Sequence, residues 1–364
     1  MRIAAMLMII YYHLALHGIQ LVNEEKAYEM WGQGSMVNKI ITCLFLPGGE
    51  IGVALFFMIS GYFLVSKKRA SLRKTVLTAL FYGPVLVVLY VVLYFAGVVN
   101  IQDGDLDHAF RECVSLFINP VTGGSWWFVS AYFILILLLP VINGFISKLT
   151  PKGYLVTLIF FWAVWYAAAR LGGSTWFKLE RAVFFYLLGG FIRKYCSDRN
   201  IRGRRLKYIF CFVVSWFIFA IFSYQDSNMH LLENHTENIM IPIIDAFKTA
   251  FFVPVCAISI FRLFESLQIG YSRAVNQVAG TTFGIYLIHD FPLLRDFLWE
   301  TVFHMDKWYS SRWFFVIALL TGICIFAAGS LIEAAREKWI MPLETRTADK
   351  ILRSYRRKYM VAQQ

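Results

Sequence analysis

Long apolar stretches, separated by short polar ones, run through most of the chain. Several approach or reach the ~20 residues that an α-helix needs to span a bilayer. The pattern predicts ten transmembrane helices, at about residues 3–22, 42–65, 76–98, 127–146, 153–169, 181–193, 207–223, 241–261, 278–294 and 313–333. We therefore expect an all-α fold, a polytopic integral membrane helical bundle, as one transmembrane domain over 1–335 with a basic tail over 336–364.

The composition supports a membrane protein and excludes a soluble one. Of the 364 residues, 59% are hydrophobic and only 16% are charged, whereas a soluble domain carries about a quarter charged residues. The six cysteines are scattered without paired spacing, which predicts neither a disulfide framework nor a zinc site.

The basic residues are distributed unevenly among the loops. The formal net charge is +12, and most Lys and Arg residues fall on one side if the N-terminus is cytoplasmic. Membrane proteins keep such residues in their cytoplasmic loops, so the pattern predicts that both termini are cytoplasmic and indicates no nucleic-acid partner. The basic, aromatic tail is expected to lie on anionic lipid.

The first apolar segment carries Arg2 at its start and His13 eleven residues later. Eleven residues advance a helix by about 16 Å and by about three turns. The two side chains therefore share one face, and His17 and Gln20 extend the same stripe. A histidine at mid-depth indicates a functional site facing the bundle interior, although a hydrogen-bonded packing histidine stays possible. We predict no metal, because no carboxylate or third histidine follows at ligand spacing.

Basic residues also cluster after the second segment, and they allow two interpretations. The cluster can be the topology signal itself, or it can bind a phosphorylated cytosolic donor. The cluster consists of Lys67, Lys68, Arg69, Arg73 and Lys74, and our candidate donor-binding residues are the first four of these.

Further candidates lie in the second, fourth and ninth segments. Ser60, before Gly61, permits a close helix approach or a bend. Trp126 and Trp127 are typical of an interfacial aromatic belt, or they form a wall for a sugar ring. Tyr286, His289 and Asp290 are polar residues in an apolar context, which indicates that they face inward. We take these residues and His17 as candidates for lining a substrate site.

Four of these stretches, in order, resemble the acyltransferase-3 family of integral-membrane O-acyltransferases. Arg2 and His13 resemble the Arg-x10-His motif in the first helix of that family. The stretch "FFMISGYFL" resembles the family's "FF-x-x-SG" motif. Its "WF…P" span is similar to "WWFVSAYFILILLLP", and its late "Y-L-x-H" to "IYLIH". One branch of the family has a glutamate in the fourth span. The corresponding stretch here, "WWFVSAY", has no glutamate, so we do not carry over a mechanism that depends on that carboxylate.

The resemblance implies transfer of an acyl group, usually acetyl, from cytosolic acyl-CoA to a hydroxyl of an extracytoplasmic glycan, a lipid-linked saccharide or a related acceptor. It implies His13 as general base and Arg2 as a second catalytic residue, which with the 67–74 cluster could bind the CoA phosphates. It also implies acetyl-CoA as a donor substrate with no bound cofactor, and a multi-pass protein of the bacterial inner membrane. The alternative is a proton-coupled permease for a small polar solute, since intramembrane His, Arg and Asp also mark proton pathways.

Overall fold

The structure is a computed structural model that describes residues 1–21, 24–101, 105–170, 178–196, 201–231, 240–267 and 269–361. Residue 22 of the first predicted segment and residues 362–364 of the predicted tail lie outside these ranges. The α-helices are α1 (Arg2–Ala15), α2 (Glu24–Gln33), α3 (Met36–Phe45), α4 (Pro47–Leu64), α5 (Arg73–Phe95), α6 (Leu106–Ile118), α7 (Trp127–Ser147), α8 (Pro151–Arg170), α9 (Leu179–Tyr195), α10 (Arg205–Leu231), α11 (Met240–Leu267), α12 (Arg273–His289), α13 (Met305–Trp308), α14 (Phe314–Trp339) and α15 (Met341–Val361).

Each of the ten predicted apolar segments forms helix in this structure. Seven helical spans within the described ranges are long and apolar enough to cross a membrane, which is consistent with an integral membrane bundle. Helices α8, α9 and α12 are outside this set. Helix α9 is buried along most of its length, and a helix enclosed by protein can hold polar residues that lipid would not tolerate. The number of ten spans and the orientation of the termini remain predictions.

Three of the predicted segments are not single continuous α-helices. The ninth, predicted over 278–294, leaves the α-helix after His289 and ends in a short 3₁₀ turn, Pro292–Leu294, because proline has no N–H to continue the α-helical hydrogen bonds. The second is divided at Leu46 into α3 and α4, because Pro47 has no N–H to donate and is suited to the first turn of a new helix. The first continues beyond α1 as a π-helical turn, Leu16–Gln20. Such turns are frequent at functional sites, and this one begins three residues after His13.

Helix α1 lies at the centre of the bundle, packed against α4, α12 and α14. Glycines allow the closest approach to α4. A Cβ added at Gly48 or Gly52 would lie 2.6 Å from the Met8 or Ala5 carbonyl oxygen, respectively, closer than a Cβ can come. Without side chains at these positions the two backbones meet, which fixes the depth and rotation of α1.

A buried ion-pair network joins α5, α14 and α15. Glu333 accepts from Arg336 at 2.8 and 2.9 Å and from the Tyr82 hydroxyl at 2.8 Å. Arg336 also donates to Thr78 and to Glu344, both at 2.8 Å. The predicted boundary between residues 335 and 336 therefore falls inside a helix, beside an arginine that is buried in the bundle.

The contact of α4 with α9 gives a test of this packing. A Cβ at Gly189 would overlap the Met58 carbonyl oxygen, whereas one at Gly144 on α7 would meet nothing within 4 Å. We expect Gly189→Ala to destabilise the protein by about 1–3 kcal/mol. Gly144→Ala should leave stability unchanged or raise it. Thermal unfolding of the detergent-purified variants measures both, and equal unfolding temperatures would contradict the packing.

Candidate active site

His13 and His289 form a hydrogen-bonded pair between α1 and the end of α12. The His13 Nδ1 atom lies 3.0 Å from His289 Nε2, and His289 Nδ1 lies 2.6 Å from the Ile285 carbonyl oxygen. A carbonyl oxygen can only accept, so His289 carries its proton on Nδ1. In the neutral ring Nε2 is then an acceptor, and His13 must donate from Nδ1. The geometry thus leaves the lone pair of His13 on Nε2, away from His289.

A carboxylate lies beside this pair. Asp290 Oδ1 is 3.8 Å from His13 Nδ1 and accepts from Arg295 Nε and Nη2 at 2.9 and 2.7 Å. Both His13 and Asp290 are buried. If His13 takes up a proton, the nearby carboxylate stabilises the imidazolium, while Arg295 holds the carboxylate in place.

His17 completes a group that could hold a metal. Ligand atoms of His13, His17 and Asp290 all lie within 4.8 Å of one another. The fold therefore supplies the carboxylate that is absent from the neighbouring sequence. However, His13 Nδ1 is already directed at His289, so metal binding would compete with the hydrogen bond that defines the pair. The expectation of no metal remains a prediction.

A cavity of about 190 Å³ lies on the Arg2 side of His13, and we name it the inner cavity. Its wall includes Arg2, Met6, Ile9, Lys74, Phe128 and Tyr286. The cations stand on a wall that is otherwise mostly apolar. Of its wall residues, Ile9 and Tyr286 are those that lie about one helical turn from His13 and His289.

A larger, more polar cavity of about 470 Å³ lies on the other side of His13, and we name it the outer cavity. Its wall includes Tyr12, Leu16, Gln20, Glu50, Arg181 and Lys248. Gln20 donates to the Ser227 hydroxyl at 2.7 Å. Acidic and basic side chains line this space together, so it offers hydrogen-bond donors and acceptors to a ligand.

One face of α1 contributes side chains to the walls of both cavities. Positions 2, 6 and 9 line the inner cavity and positions 16 and 20 line the outer cavity. His13 occupies the same helical face between them, because steps of three and four residues keep side chains on one side of a helix. The pair with His289 therefore lies between the two sets of wall residues on this helix, and His13 itself is in neither wall.

A family model described as an acyltransferase domain matches residues 1–331. The chain belongs to the acyltransferase-3 family. The match covers α1 to α13 and most of α14 and therefore includes His13, His289 and both cavities. Comparison with curated proteins and with solved structures gave no match.

In this acyltransferase-3 protein, the tryptophan pair divides into two environments. Trp126 is fully buried, with its ring 6.0 Å from that of Phe291, so its position differs from that of an interfacial anchor. Trp127 is half-buried, and the Lys178 ammonium and the Arg181 guanidinium lie 4.8 and 4.7 Å from its ring centre. Trp127 therefore belongs to the surroundings of the outer cavity.

The predicted donor-binding residues lie at the N-terminal end of α5 or in the segment just before it. Lys67, Lys68 and Arg69 are exposed. Arg73 pairs with Asp349 at 2.8 Å and donates to the Thr345 carbonyl at 2.7 Å. Lys74, the next residue, is the member of this basic stretch that lines the inner cavity. A role of the four predicted residues in donor binding stays a prediction.

Two further candidates from the sequence, Ser60 and Tyr286, lie in the wall of the inner cavity. Ser60 lines the inner cavity and donates to the Phe56 carbonyl at 3.0 Å. The Tyr286 hydroxyl is buried, beside Asp290 and the Phe128 backbone, without a well-formed hydrogen bond to either. It is therefore available to a molecule that reaches the end of the inner cavity.

Sequence reasoning missed the ion pair of Glu50 with Arg181. Both residues lie within predicted apolar segments, and an acid and a base at membrane depth favour pairing. That signal was present in the sequence, but which acid meets which base depends on the packing of α4 against α9.

The hydrogen bond between the two histidines yields a direct test. His289→Leu removes the acceptor for His13 Nδ1–H, so the tautomer of His13 is no longer fixed. We expect kcat for acyl transfer to fall roughly 10- to 100-fold with little change in KM. His289→Gln, whose side-chain oxygen can accept, should restore part of kcat. Steady-state kinetics of the two variants would refute the role if Leu and Gln behaved alike.

Proposed function

We propose that this protein is a membrane O-acyltransferase of the bacterial inner membrane, with His13 as general base. It would move an acetyl or other short acyl group from cytosolic acyl-CoA to a hydroxyl of an extracytoplasmic glycan, a lipid-linked saccharide or a related acceptor. The observation that carries the proposal is the single face of α1 that joins an inner cavity, a histidine with a free Nε2 and an outer cavity.

The inner cavity suits the donor. Acyl-CoA has a phosphate-rich head and a thin, largely uncharged arm that ends in the thioester. Arg2, exposed at the start of α1, and Lys74 provide cations for the phosphates, with Lys67, Lys68 and Arg69 on the surface nearby. The apolar wall that leads to Ile9 and Tyr286 accepts the arm.

In the proposed reaction, His13 takes up one proton and later returns it. Its Nε2 removes the proton of the acceptor hydroxyl as the oxygen attacks the thioester carbon. The carbon–oxygen bond forms, the carbon–sulfur bond breaks, and CoA leaves as a thiolate that takes the proton back from His13. During the step His289 accepts from His13 Nδ1–H, and Asp290 stabilises the imidazolium.

Negative charge develops on the thioester oxygen during this attack. The Tyr286 hydroxyl, buried and without a well-formed hydrogen bond among the described groups, is placed to donate to that oxygen from the end of the inner cavity. Hydrogen-bond donors aimed at a developing oxyanion are a major source of catalysis. In an alternative route, with a covalent acyl-enzyme, Tyr286 or a serine would carry the acyl group.

The outer cavity suits a hydroxyl-bearing acceptor. Tyr12, Trp165 and Phe219 bring aromatic surfaces to its wall, and Glu50, Gln20 and several charged residues bring polar groups. Aromatic faces with paired polar side chains are appropriate for a saccharide. The cavity is also the more polar of the two, as an acceptor with many hydroxyl groups requires.

A permease remains the second candidate, because cavities on both sides of a buried histidine are also suited to alternating access. The two functions differ in one observable. An acyltransferase purified in detergent releases CoA from acyl-CoA when its acceptor is present, whereas a permease breaks no covalent bond and releases none. Membership of the acyltransferase-3 family favours transfer.

His13 gives the test of the proposed function. We expect His13→Ala to lower the transfer rate by roughly 10²- to 10⁴-fold, the usual contribution of general base catalysis, with normal membrane insertion. His108→Ala, at an exposed position on α6, is the matched control and should keep the full rate. The measurement follows labelled acetyl from acetyl-CoA into the envelope glycans of membrane vesicles. A His13→Ala protein with near-normal transfer would refute the general base.

A further inference from the structure

The charges around the outer cavity are not all satisfied. Lys248 pairs with Asp226 at 2.7 Å and with Asp245 at 3.0 Å. Arg181 uses Nη1 to contact Glu50. Lys178 makes no ion pair with any residue in the described ranges and lies over the Trp127 ring.

Arg181 is the most unusual of these groups. Its side chain is only 5% exposed, yet its Nε and Nη2 atoms are buried without a hydrogen-bond partner among the described residues. Buried donors of a charged group are costly to leave unpaired. Arg181 lines the outer cavity, so these two buried donors lie beside a space that a ligand can occupy.

The two free nitrogens also have a specific geometry. In a planar guanidinium, Nε–H and Nη2–H lie on one edge and point in parallel, which matches the two oxygens of a carboxylate or a phosphate. Glu50 occupies the opposite part of the group and leaves this edge open. Arg181 therefore presents a vacant bidentate fork.

The charged side chains near this edge of Arg181 indicate which ligand charge the site favours. Arg181 and Lys178 both lie against Trp127, at 4.7 and 4.8 Å from its ring centre. The nearby carboxylate of Glu180 has Oε2 buried without a partner and forms no ion pair with either cation among the described residues. Glu50, Asp226 and Asp245 are each engaged by a cation. The cavity wall as a whole holds four carboxylates and three cations, since Glu180 also lines it. The preference for an anion therefore rests on the unpaired edge of Arg181 with Lys178 beside it, and not on the net charge of the cavity.

We propose that the outer cavity binds an acidic acceptor, a saccharide with a carboxylate or phosphate group, through the Nε–H and Nη2–H fork of Arg181, with Lys178 as second cation. This inference rests on the proposed function, since it names the class of acceptor. The fork would hold the anionic group while a hydroxyl of the same molecule is directed towards His13. Arg181 is thereby a binding and specificity residue, outside the proton-transfer step.

The test measures binding without acyl transfer. Glucose, glucuronate and glucose 1-phosphate are titrated against the purified full-length protein, and binding is followed by tryptophan fluorescence and thermal stabilisation. We expect at least one of the two anions to bind and glucose to bind at least tenfold more weakly. Comparison of the affinities for glucuronate and glucose 1-phosphate shows whether the site prefers a carboxylate or a phosphate. Equal binding of glucose, or no binding of either anion, would overturn the proposal.

Substitutions then locate the site. Arg181→Lys keeps the charge but removes the fork, and we expect it to weaken anion binding roughly 10- to 100-fold. Lys178→Asn removes a cation that has no ion pair, at a residue whose φ of 55° suits asparagine, and should weaken binding with unfolding temperature unchanged. Lys152→Gln, at an exposed position on α8, is the control. Unchanged anion affinity in both Arg181→Lys and Lys178→Asn would contradict the assignment.

The two proposals can fail separately. His13→Ala should bind the anion normally, because its ring takes no part in the fork. Anion binding that depends on Arg181 without any acyl transfer would refute the transferase function and leave the binding site. Transfer to neutral acceptors that does not depend on Arg181 would refute the site and leave the transferase.

Discussion

A hydrogen bond from His289 Nδ1–H to the Ile285 carbonyl oxygen determines the chemistry of this bundle. It fixes His289 as an acceptor at Nε2, which in turn fixes His13 as a donor at Nδ1. The lone pair of His13 is thereby placed on Nε2. Two helices that are distant in sequence have to meet for this arrangement, and the glycines of α4 set the position of α1 that permits it.

The proposed function follows from the position of this pair between two unlike cavities. A thioester donor and a hydroxyl acceptor differ in polarity, and so do the inner and outer cavities. The face of α1 that carries Met6, Ile9, His13, Leu16 and Gln20 passes from one to the other. In the proposed reaction, this arrangement would let two substrates approach one base from opposite sides.

Features set by local spacing were predictable from the sequence. The apolar segments, the shared face of Arg2 and His13 and the inward position of His289 depend on helical periodicity. Lys74 lines the inner cavity, whereas Lys68 and Arg69 do not. Helix α5 begins at Arg73, so Lys74 is part of the helix while Lys68 and Arg69 precede it. The histidine pair and the pair of Glu50 with Arg181 join residues 276 and 131 positions apart. No local pattern contains such pairings, since they depend on which helices become neighbours.

The tautomer of His13 is the most direct test of the account. Nitrogen NMR of the purified protein, with ¹⁵N in the imidazole rings, distinguishes protonated from unprotonated ring nitrogens, and His13→Ala and His289→Gln assign the two signals. At neutral pH the account predicts a proton on Nδ1 and none on Nε2 in both rings. A His13 ring protonated at Nε2 would leave no base in position and would contradict the account.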